Sequence, residues 1–352
     1  MSEKPVRIGI VGAGANTRTR HIPGFRAVPG VEIVGVVNRT SQSGAQVAKE
    51  FGISKVYPHW QSLVDDPHVD AVCIGTWPDM HCEVTCAALQ AGKHVLTEAR
   101  MARNAAEAHQ MLAAALAHPG VVAQIVPSPF GLVQDKFIRS IISQFYLGEL
   151  REVVILGADE TVWDYTEPLH WRQDSRISGL NVLALGILHE TVSRWIPPTT
   201  RVFAQTNCFE RQRPLAGTPG LVEVTVPDSV QIVTMIEGGA RGIYHCSGIT
   251  MFGPGKQIHL YGSRGTIRYV ISPEEKLFCG RAGDSELRLI DIPAEQRGGW
   301  RVEAEFIAAI RGQGRVQFTD FATGIRYMEF TEAVARSAAL NLPVDLPLKN
   351  LS

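Results

Sequence analysis

A turn with two glycines, set between an apolar strand and a helix, constrains this chain more than any other feature. Residues 6–11 read VRIGIV and lead directly into residues 12–17, which read GAGANT. Gly12 fits a tight turn, and Gly14 lacks the side chain that would keep a pyrophosphate away from the N–H groups opening the next helix. Thr17 stands where this pattern usually has Gly or Ala. The placement predicts a dinucleotide-binding unit. The expected cofactor contacts here are Gly12, Ala13, Gly14, Ala15, Asn16 and Thr17.

The residue that closes the second strand distinguishes the two nicotinamide dinucleotides. An Asp or Glu there would accept hydrogen bonds from the ribose hydroxyls and repel a 2′-phosphate. This chain instead has Asn38 and Arg39, followed by Thr40 and Ser41. An amide, a cation and two hydroxyls suit a phosphate, and Arg39 can also stack on adenine. The alternative is a turn of solvated polar residues. We therefore predict NADP as the preferred cofactor and NAD as the alternative, with Asn38 and Arg39 as contacts.

Composition excludes several classes of function. The hydrophobic fraction is 45%, the charged fraction is 20% and the formal net charge is -1, as in ordinary soluble globular proteins. This charge gives no general attraction to nucleic acid, and no apolar run is long enough to span a bilayer. The 6 cysteines form no Cys-x-x-Cys pair, and the zincin-like start at His189-Glu190 lacks its second histidine. We expect a cytoplasmic protein with no metal, nucleic-acid or membrane partner.

The order of strands and helices indicates two domains, as expected for 352 residues. Strands and helices alternate up to residue 126, which predicts a doubly wound parallel sheet of the Rossmann type. From Arg151 strands dominate, which predicts an α+β domain with a largely antiparallel, open-faced sheet and helices on one face. We place the domains at 1–126 and 127–352, with the option that the C-terminal helices pack back on the first. One helix is expected at 179–195.

Two irregular segments carry further candidate ligand contacts. The first follows a buried strand, at the strand end where open α/β sheets bind ligands. Its expected cofactor contacts are Thr76, Trp77, Pro78 and His81. The second precedes the helix expected at 179–195 and mixes aromatic rings with hydrogen-bonding groups, which suits a polyhydroxylated ligand. The alternative is a loop packed by its aromatic side chains. The expected substrate contacts are Trp163, Trp171, Arg172 and, on the helix, Asn181.

Four motifs together resemble the glucose-fructose oxidoreductase, inositol dehydrogenase and MocA (Gfo/Idh/MocA) family. They are Gly12-x-Gly14, the segment AGKHVLTE at 91–98, Trp171-Arg172 and the segment FIAAI at 306–310. The similarity runs over essentially the whole chain and is most specific at 71–102. It implies a dinucleotide-binding domain followed by an open-faced sheet domain. It also implies oxidation or reduction of a hydroxyl on a sugar, cyclitol or related polyol, and a homodimer or homotetramer formed through the open sheet.

The chain departs from the family at its catalytic lysine. The family pattern is Glu-Lys-Pro, in which the lysine contacts cofactor and substrate and helps to transfer the proton. The matching residues here are Glu98, Ala99 and Arg100. Ala99 cannot donate a proton, and Arg100 is a poor acid because its guanidinium stays charged. The resemblance implies that Glu98 and Ala99 lie at the cofactor, and Arg100 remains a catalytic candidate.

The second family signature, Asp-x-Gly-x-His-x-x-Asp, is also altered. With Gly186 aligned, Ala184 and Thr191 replace the aspartates and Leu188 replaces the histidine. His189 and Glu190 are new polar residues beside these positions. We consider His189, Glu190 and Tyr165 as replacements for the lysine. The alternatives are a packed histidine and an ion pair of Glu190 with Arg194 along the helix.

Three functions follow from this pattern. The first is an NAD(P)-dependent oxidoreductase acting on a sugar-like or cyclitol-like hydroxyl or ketone, with a group other than lysine transferring the proton. The second is a lyase, hydratase or glycosidase-type enzyme in which tightly bound dinucleotide oxidises the substrate transiently. The third is a non-catalytic sensor of dinucleotide or sugar. The intact glycine turn favours the first.

Overall fold

The computed structural model describes residues 5–349, without the side chain of Thr218. The chain forms two compact units, which we call unit 1 (Met1–Pro127 with Arg301–Arg326) and unit 2 (Ser128–Trp300 with Tyr327–Ser352). The segment 301–326, which carries a helix, therefore belongs to the first unit.

Unit 1 is built on a parallel sheet. Its strands are β1 (Val6–Val11), β2 (Val31–Val37), β3 (Lys55–Val56), β4 (Ala71–Ile74), β5 (His94–Thr97) and β6 (Ala123–Ile125). Its first helices are α1 (Ile22–Arg26), α2 (Ser41–Phe51), α3 (Trp60–Val64), α4 (Pro78–Gln90) and α5 (Ala105–Ala117), and a π-helical turn at Thr17–His21 precedes α1. The strand order is β3-β2-β1-β4-β5-β6, and every neighbouring pair is parallel. The predicted Rossmann-type sheet is confirmed.

The order of the strands reverses between β1 and β4. Every residue of β4 is buried, because helices cover both faces of a doubly wound parallel sheet. The carboxyl ends of β1 and β4 therefore define the switch point at which such sheets bind their ligands.

Unit 2 is built on a nine-stranded sheet. Its strands are β7 (Leu150–Ala158), β8 (Thr199–Asn207), β11 (Ser229–Ile236), β12 (Arg241–Ser247), β13 (Gly255–Gly262), β14 (Gly265–Val270), β15 (Lys276–Arg281), β16 (Arg288–Leu289) and β17 (Val344–Asp345), while β9 (Gln212–Leu215) and β10 (Thr218–Glu223) form a separate hairpin. The order is β16-β15-β14-β13-β7-β12-β11-β8-β17. Only the β7–β12 pair is parallel among these neighbours, so the predicted largely antiparallel sheet is confirmed.

The helices within unit 2 are short. They are α6 (Asp135–Ser143), α7 (Ser175–Ser178) and α8 (Leu185–Val192), with 3-10 turns at Trp171–Gln173 and Ala294–Gln296. The chain continues with α9 (Val302–Ile310) in unit 1 and α10 (Phe321–Leu340), which supplies residues to both units. Side chains of α6, α8 and α10 share the hydrophobic core with the covered face of the sheet. The opposite face exposes about half of Val233, Met235 and Ile243.

The single helix predicted at 179–195 is wrong. The structure has α7, an irregular turn and then α8, because Gly179 (φ 64°) and Leu183 (φ 45°) adopt positive φ values that end an α-helix. Asn181 lies in this turn, where its side-chain amide donates to Ser178 O at 2.7 Å. It therefore shares no helix face with His189.

All 6 cysteines are free thiols. Within residues 5–349 no helix is long and apolar enough to cross a membrane, and no cluster of three or more potential metal-binding side chains is found.

Candidate functional site

The glycine turn of unit 1 requires glycine at its first position. Gly12 has a φ of +83°, and a Cβ there would lie 2.6 Å from Thr76 Cγ2 and 2.8 Å from Thr76 N. A Cβ on Gly14 would have Gly75 O at 3.5 Å as its nearest neighbour, which is an ordinary contact. Packing within the protein therefore explains Gly12 but does not explain Gly14. A ligand that approaches the backbone closely would account for the second glycine.

Polar groups brace the turn from both sides. Asn38 Oδ1 accepts a hydrogen bond from Ala13 N at 2.7 Å, and Gly12 N donates to Val37 O at 2.8 Å. Thr17 is buried, and its hydroxyl donates to Gly12 O at 3.2 Å. The end of β2 and the first turn of the following helix thus fix the backbone of the turn.

Arg39 and Trp77 lie together at the carboxyl ends of β2 and β4. The Arg39 guanidinium carbon is 5.5 Å from the centroid of the Trp77 ring, and both side chains are exposed. Thr40 caps α2 by accepting a hydrogen bond from Ser43 N at 3.2 Å. The side chains that follow β2 therefore present a cation and hydroxyl groups, without a carboxylate, in the segment 38–41.

His81 connects the loops that follow β4 and β5. Its Nδ1 is 2.8 Å from Arg100 O, and its Nε2 is 3.1 Å from Thr76 O. Pro78 is the first residue of α4, where its missing N–H costs no hydrogen bond. Arg100 is itself buried, with Ala99 beside it in the same loop. The packing fixes the backbone of both loops and leaves Arg100 little exposed.

A buried ionic cluster, which we call the His21 cluster, joins three residues of unit 1. His21 Nε2 is 2.8 Å from Glu98 Oε1, and His21 Nδ1 is 2.5 Å from Glu303 Oε1. Burial alone would lower the pKa of His21, but the hydrogen bonds with the two carboxylates raise it to about 9. The same Glu98 oxygen accepts a hydrogen bond from Asn16, and Glu98 Oε2 accepts one from Ala99 N at 3.2 Å.

Glu190 forms a buried ion pair in unit 2. Its carboxylate accepts hydrogen bonds from Arg194 Nε and Nη2 at 2.8–3.0 Å, and from Ser128 N at 2.7 Å. Arg194 also donates to Ser128 O at 2.9 Å and Phe130 O at 3.1 Å. The side chains of Glu190 and Arg194 are only 4% and 7% exposed. Glu190 therefore anchors the segment 128–130, and its oxygens are occupied by these contacts.

His189 lies in the hydrophobic core of unit 2. Its ring stacks on Phe330 with centroids 3.5 Å apart, and Nδ1 is 2.8 Å from the Tyr244 hydroxyl. Burial lowers its pKa to about 3. A neutral ring that is 4% exposed, stacked on Phe330 and hydrogen-bonded to Tyr244 matches the alternative of a packed histidine better than a role in proton transfer to a ligand.

The segment 159–173 presents the aromatic candidates. Trp163 and Tyr165 are exposed, Tyr165 by 60%. Arg172 stacks on Trp171 with its guanidinium carbon 4.1 Å from the ring centroid. Asn181 is buried in the turn before α8 and faces the backbone of Ser178. Trp163 and Tyr165 are thus exposed to solvent, whereas Asn181 stabilises the turn.

Arg213 holds this segment in place. It is 2% exposed, and its guanidinium donates to the backbone oxygens of Val162, Asp164 (2.5 Å) and Glu167 (3.4 Å). An arginine on the β9–β10 hairpin thus fixes the loop that carries Trp163 and Tyr165.

Sequence analysis missed four residues that shape these sites. Gly75 admits no Cβ, because it would collide with the Thr17 hydroxyl and Gly12 O. His21, Ser128 and Arg213 were not identified, since each acts through contacts with distant parts of the chain. Of these residues, Gly75 had a recognisable position in the sequence, because it directly follows the apolar strand β4.

The parallel sheet with its glycine turn, followed by the open mixed sheet, defines a two-unit protein with a dinucleotide-binding fold. The model of an oxidoreductase family with an NAD-binding Rossmann fold, GFO_IDH_MocA, matches residues 6–125, and the model of the GFO/IDH/MocA C-terminal domain matches residues 136–268. The chain belongs to the Gfo/Idh/MocA family. The resemblance seen in the sequence motifs is confirmed.

Known relatives agree with this assignment. Residues of this chain are 40% identical over 109 positions to 1,5-anhydro-D-fructose reductase of Ensifer adhaerens, a match that spans 31% of this chain and 32% of that protein. Trans-1,2-dihydrobenzene-1,2-diol dehydrogenase of Sus scrofa is 27% identical over 69% of this chain and 68% of its own length. The solved structure of levoglucosan dehydrogenase in complex with NADH and L-sorbose has a TM-score of 0.88 at 22% identity, covering 97% of this chain and 99% of that one. This last likeness shows the shared fold.

Proposed function

We propose that this protein is an NAD(P)-dependent oxidoreductase that transfers hydride between nicotinamide and a hydroxyl or ketone of a sugar, cyclitol or related polyol. The observation that carries the proposal is the glycine turn. Packing within the protein does not explain why residue 14 is glycine, whereas a closely bound pyrophosphate would. The substrate class is suggested by relatives named for levoglucosan and 1,5-anhydro-D-fructose.

The residues of unit 1 fit a dinucleotide. The N–H groups at 12–17 suit the pyrophosphate, because the preceding glycines let it approach the start of a helix. Asn38 and Arg39 suit the adenosine end, and the absence of a carboxylate at 38–41 favours NADP over NAD. The bound cofactor supplies the hydride acceptor or donor. The loops after β4 and β5 complete the proposed cofactor contacts at Thr76, Trp77, Pro78, His81, Glu98 and Ala99.

Tyr165 is the best remaining group for proton transfer. The lysine position is Ala99, while Glu190, His189 and Arg100 are buried in structural contacts. Tyr165 carries a hydroxyl that both donates and accepts, on an exposed part of the loop held by Arg213. Trp163, Trp171 and Arg172 supply stacking surfaces for a polyol ring.

Two measurements test this proposal. Fluorescence titration should show binding of NADPH that is tighter than binding of NADH. A panel of sugars, cyclitols and their oxo forms should then change the absorbance of the reduced nicotinamide. Tyr165→Phe should lower turnover without weakening cofactor binding, whereas the matched variant Tyr146→Phe, at a half-buried ring that contacts Arg281, should change neither. Failure of the purified protein to bind either dinucleotide would refute the proposal.

A sensor without turnover is the second candidate. It is favoured by the loss of the family's lysine and both signature aspartates, since Ala99, Ala184 and Thr191 occupy those positions. Tight dinucleotide binding without a reaction on any member of the panel would support it.

Transient oxidation in a lyase, hydratase or glycosidase-type reaction would instead show as substrate conversion without added cofactor, with dinucleotide released on denaturation.

We also propose a homodimer or homotetramer formed through the open face of the unit 2 sheet. Val233, Met235 and Ile243 are neighbours on this face and are each about half exposed. Ile243→Lys should dissociate the oligomer, as measured by light scattering, and a monomeric wild-type protein would contradict the proposal.

The 6 free thiols favour a reducing, cytoplasmic location.

A further inference from the structure

The His21 cluster lies at the edge of the sheet where the nicotinamide half of a dinucleotide belongs. Glu98 directly follows β5, and its carboxylate is bonded to Asn16, two residues after Gly14. Asn38 braces the turn from the β2 side, where the adenosine half is proposed to bind. A dinucleotide that crosses the turn therefore directs its other half over β4 and β5, toward Glu98.

Within the His21 cluster two carboxylates share one imidazolium, so His21 alone does not neutralise both. His21 is shared between two carboxylates, and the hydrogen bond to Glu303 at 2.5 Å is shorter than the 2.8 Å bond to Glu98. Glu303 approaches this closely because residue 24 is glycine, since a Cβ there would lie 2.6 Å from the Glu303 carboxylate. The imidazolium therefore lies closer to Glu303 than to Glu98. Although burial would raise the pKa of Glu98, hydrogen bonds from His21 and Asn16 keep it below the ordinary value, so the carboxylate stays ionised.

We propose that the Glu98 carboxylate, held ionised by His21 and Asn16, makes the cofactor site prefer the oxidised dinucleotide over the reduced one. The oxidised nicotinamide ring carries one positive charge, which hydride addition removes. A fixed negative charge in a buried setting stabilises the positive ring and does little for the neutral one. Preferential binding of the oxidised form makes the bound reduced form the stronger hydride donor. The site is therefore poised to reduce a carbonyl group of its substrate.

This inference rests on the proposed function, because it requires a bound nicotinamide dinucleotide. Its readout is equilibrium binding, so it needs no substrate. The dissociation constants of NADP⁺ and NADPH are measured by calorimetry and fluorescence for each variant, and the ratio of the two constants is compared with that of wild type.

Three substitutions separate electrostatics from packing. Glu98→Gln should weaken binding of the oxidised form relative to the reduced form on the order of tenfold. Glu303→Gln removes one negative charge on the opposite side of the His21 ring. It should therefore shift the ratio of the two dissociation constants in the same direction as Glu98→Gln, but by a smaller factor. Glu32→Gln, at the exposed start of β2, is the matched control and should leave the ratio unchanged. Thermal melting establishes that each variant is folded, and Glu303→Gln carries the test if Glu98→Gln does not fold.

The outcomes are distinct. A wild-type protein that binds neither form refutes the proposed function and this inference with it. Binding of both forms with the same ratio in wild type, Glu98→Gln and Glu303→Gln overturns the inference alone. Equal weakening of both forms by Glu98→Gln also overturns it, because that result shows a residue that positions the loop without discriminating charge.

Discussion

Arg194 is the residue whose removal should destabilise unit 2 most sharply. Its guanidinium donates to both oxygens of Glu190 and to the backbone oxygens of Ser128 and Phe130, at 2.8–3.1 Å. In Arg194→Ala the Glu190 carboxylate, 4% exposed, would keep only its hydrogen bond from Ser128 N at 2.7 Å. Breaking a buried pair in this way leaves an uncompensated charge, so we expect a loss of about 3–5 kcal/mol in the free energy of unfolding.

Urea unfolding followed by tryptophan fluorescence measures this loss. Trp195 is a suitable reporter because it is buried next to Arg194 and donates to Asp135 Oδ1 at 2.9 Å. Arg301→Ala is the matched control: its pairing with Glu305 has the same spacing along a helix, but the atoms are 3.9 Å apart and Arg301 is 73% exposed, so the loss should stay below about 1 kcal/mol.

The paired variant Glu190→Leu with Arg194→Met should recover most of the stability lost in Arg194→Ala, because no buried charge then lacks its partner. A loss in Arg194→Ala no larger than that in the Arg301→Ala control would refute the reasoning. It would mean that Glu190 is solvated and free to act on a ligand.

Three further predictions follow from the unit 1 geometry. Gly14→Ala should weaken dinucleotide binding without lowering the melting temperature, whereas Gly12→Ala should lower both, because only its Cβ would clash with Thr76. Arg39→Asp should reverse the cofactor preference in fluorescence titrations, since a carboxylate binds ribose hydroxyls and repels a 2′-phosphate. The pKa of His21 is raised from 6.5 to about 9, so its stabilisation is complete below pH 6.5 and is lost as the pH rises toward 9. The loss should approach about 3 kcal/mol, and His21→Gln should flatten that part of the pH profile of urea unfolding.

The fold was predictable wherever local pattern and burial agree. The continuous apolar run of β4 is typical of a buried parallel strand, and the structure has one there. The prediction of one helix at 179–195 was wrong because the spacing of apolar residues does not show where the backbone adopts a positive φ value. Leu183 adopts a positive φ in a stretch of apolar residues that otherwise resembles a helix.

The site was less predictable, because its side chains are oriented by residues far away in the sequence. One step along a helix rotates a side chain by about 100°, so whether His189 faces a ligand or the core depends on its tertiary partner. That partner is Phe330 on α10. Arg213 could not be predicted from the sequence for the same reason. A charged residue on a short hairpin is expected to be exposed, but the backbone oxygens of segment 162–167 accept its hydrogen bonds and make its burial favourable.

Hydride transfer and proton transfer place different demands on this chain. The first needs the cofactor held in register, which is the role that we propose for the glycine turn. The second needs an acid or base at the substrate oxygen, which typically contributes a factor of about 10²–10⁴ to the rate. If Tyr165 supplies that group, Tyr165→Phe should cost a factor in this range and flatten the pH profile of turnover, while hydride transfer stays detectable. If the rate is unchanged, Tyr165 is not the proton-transfer group.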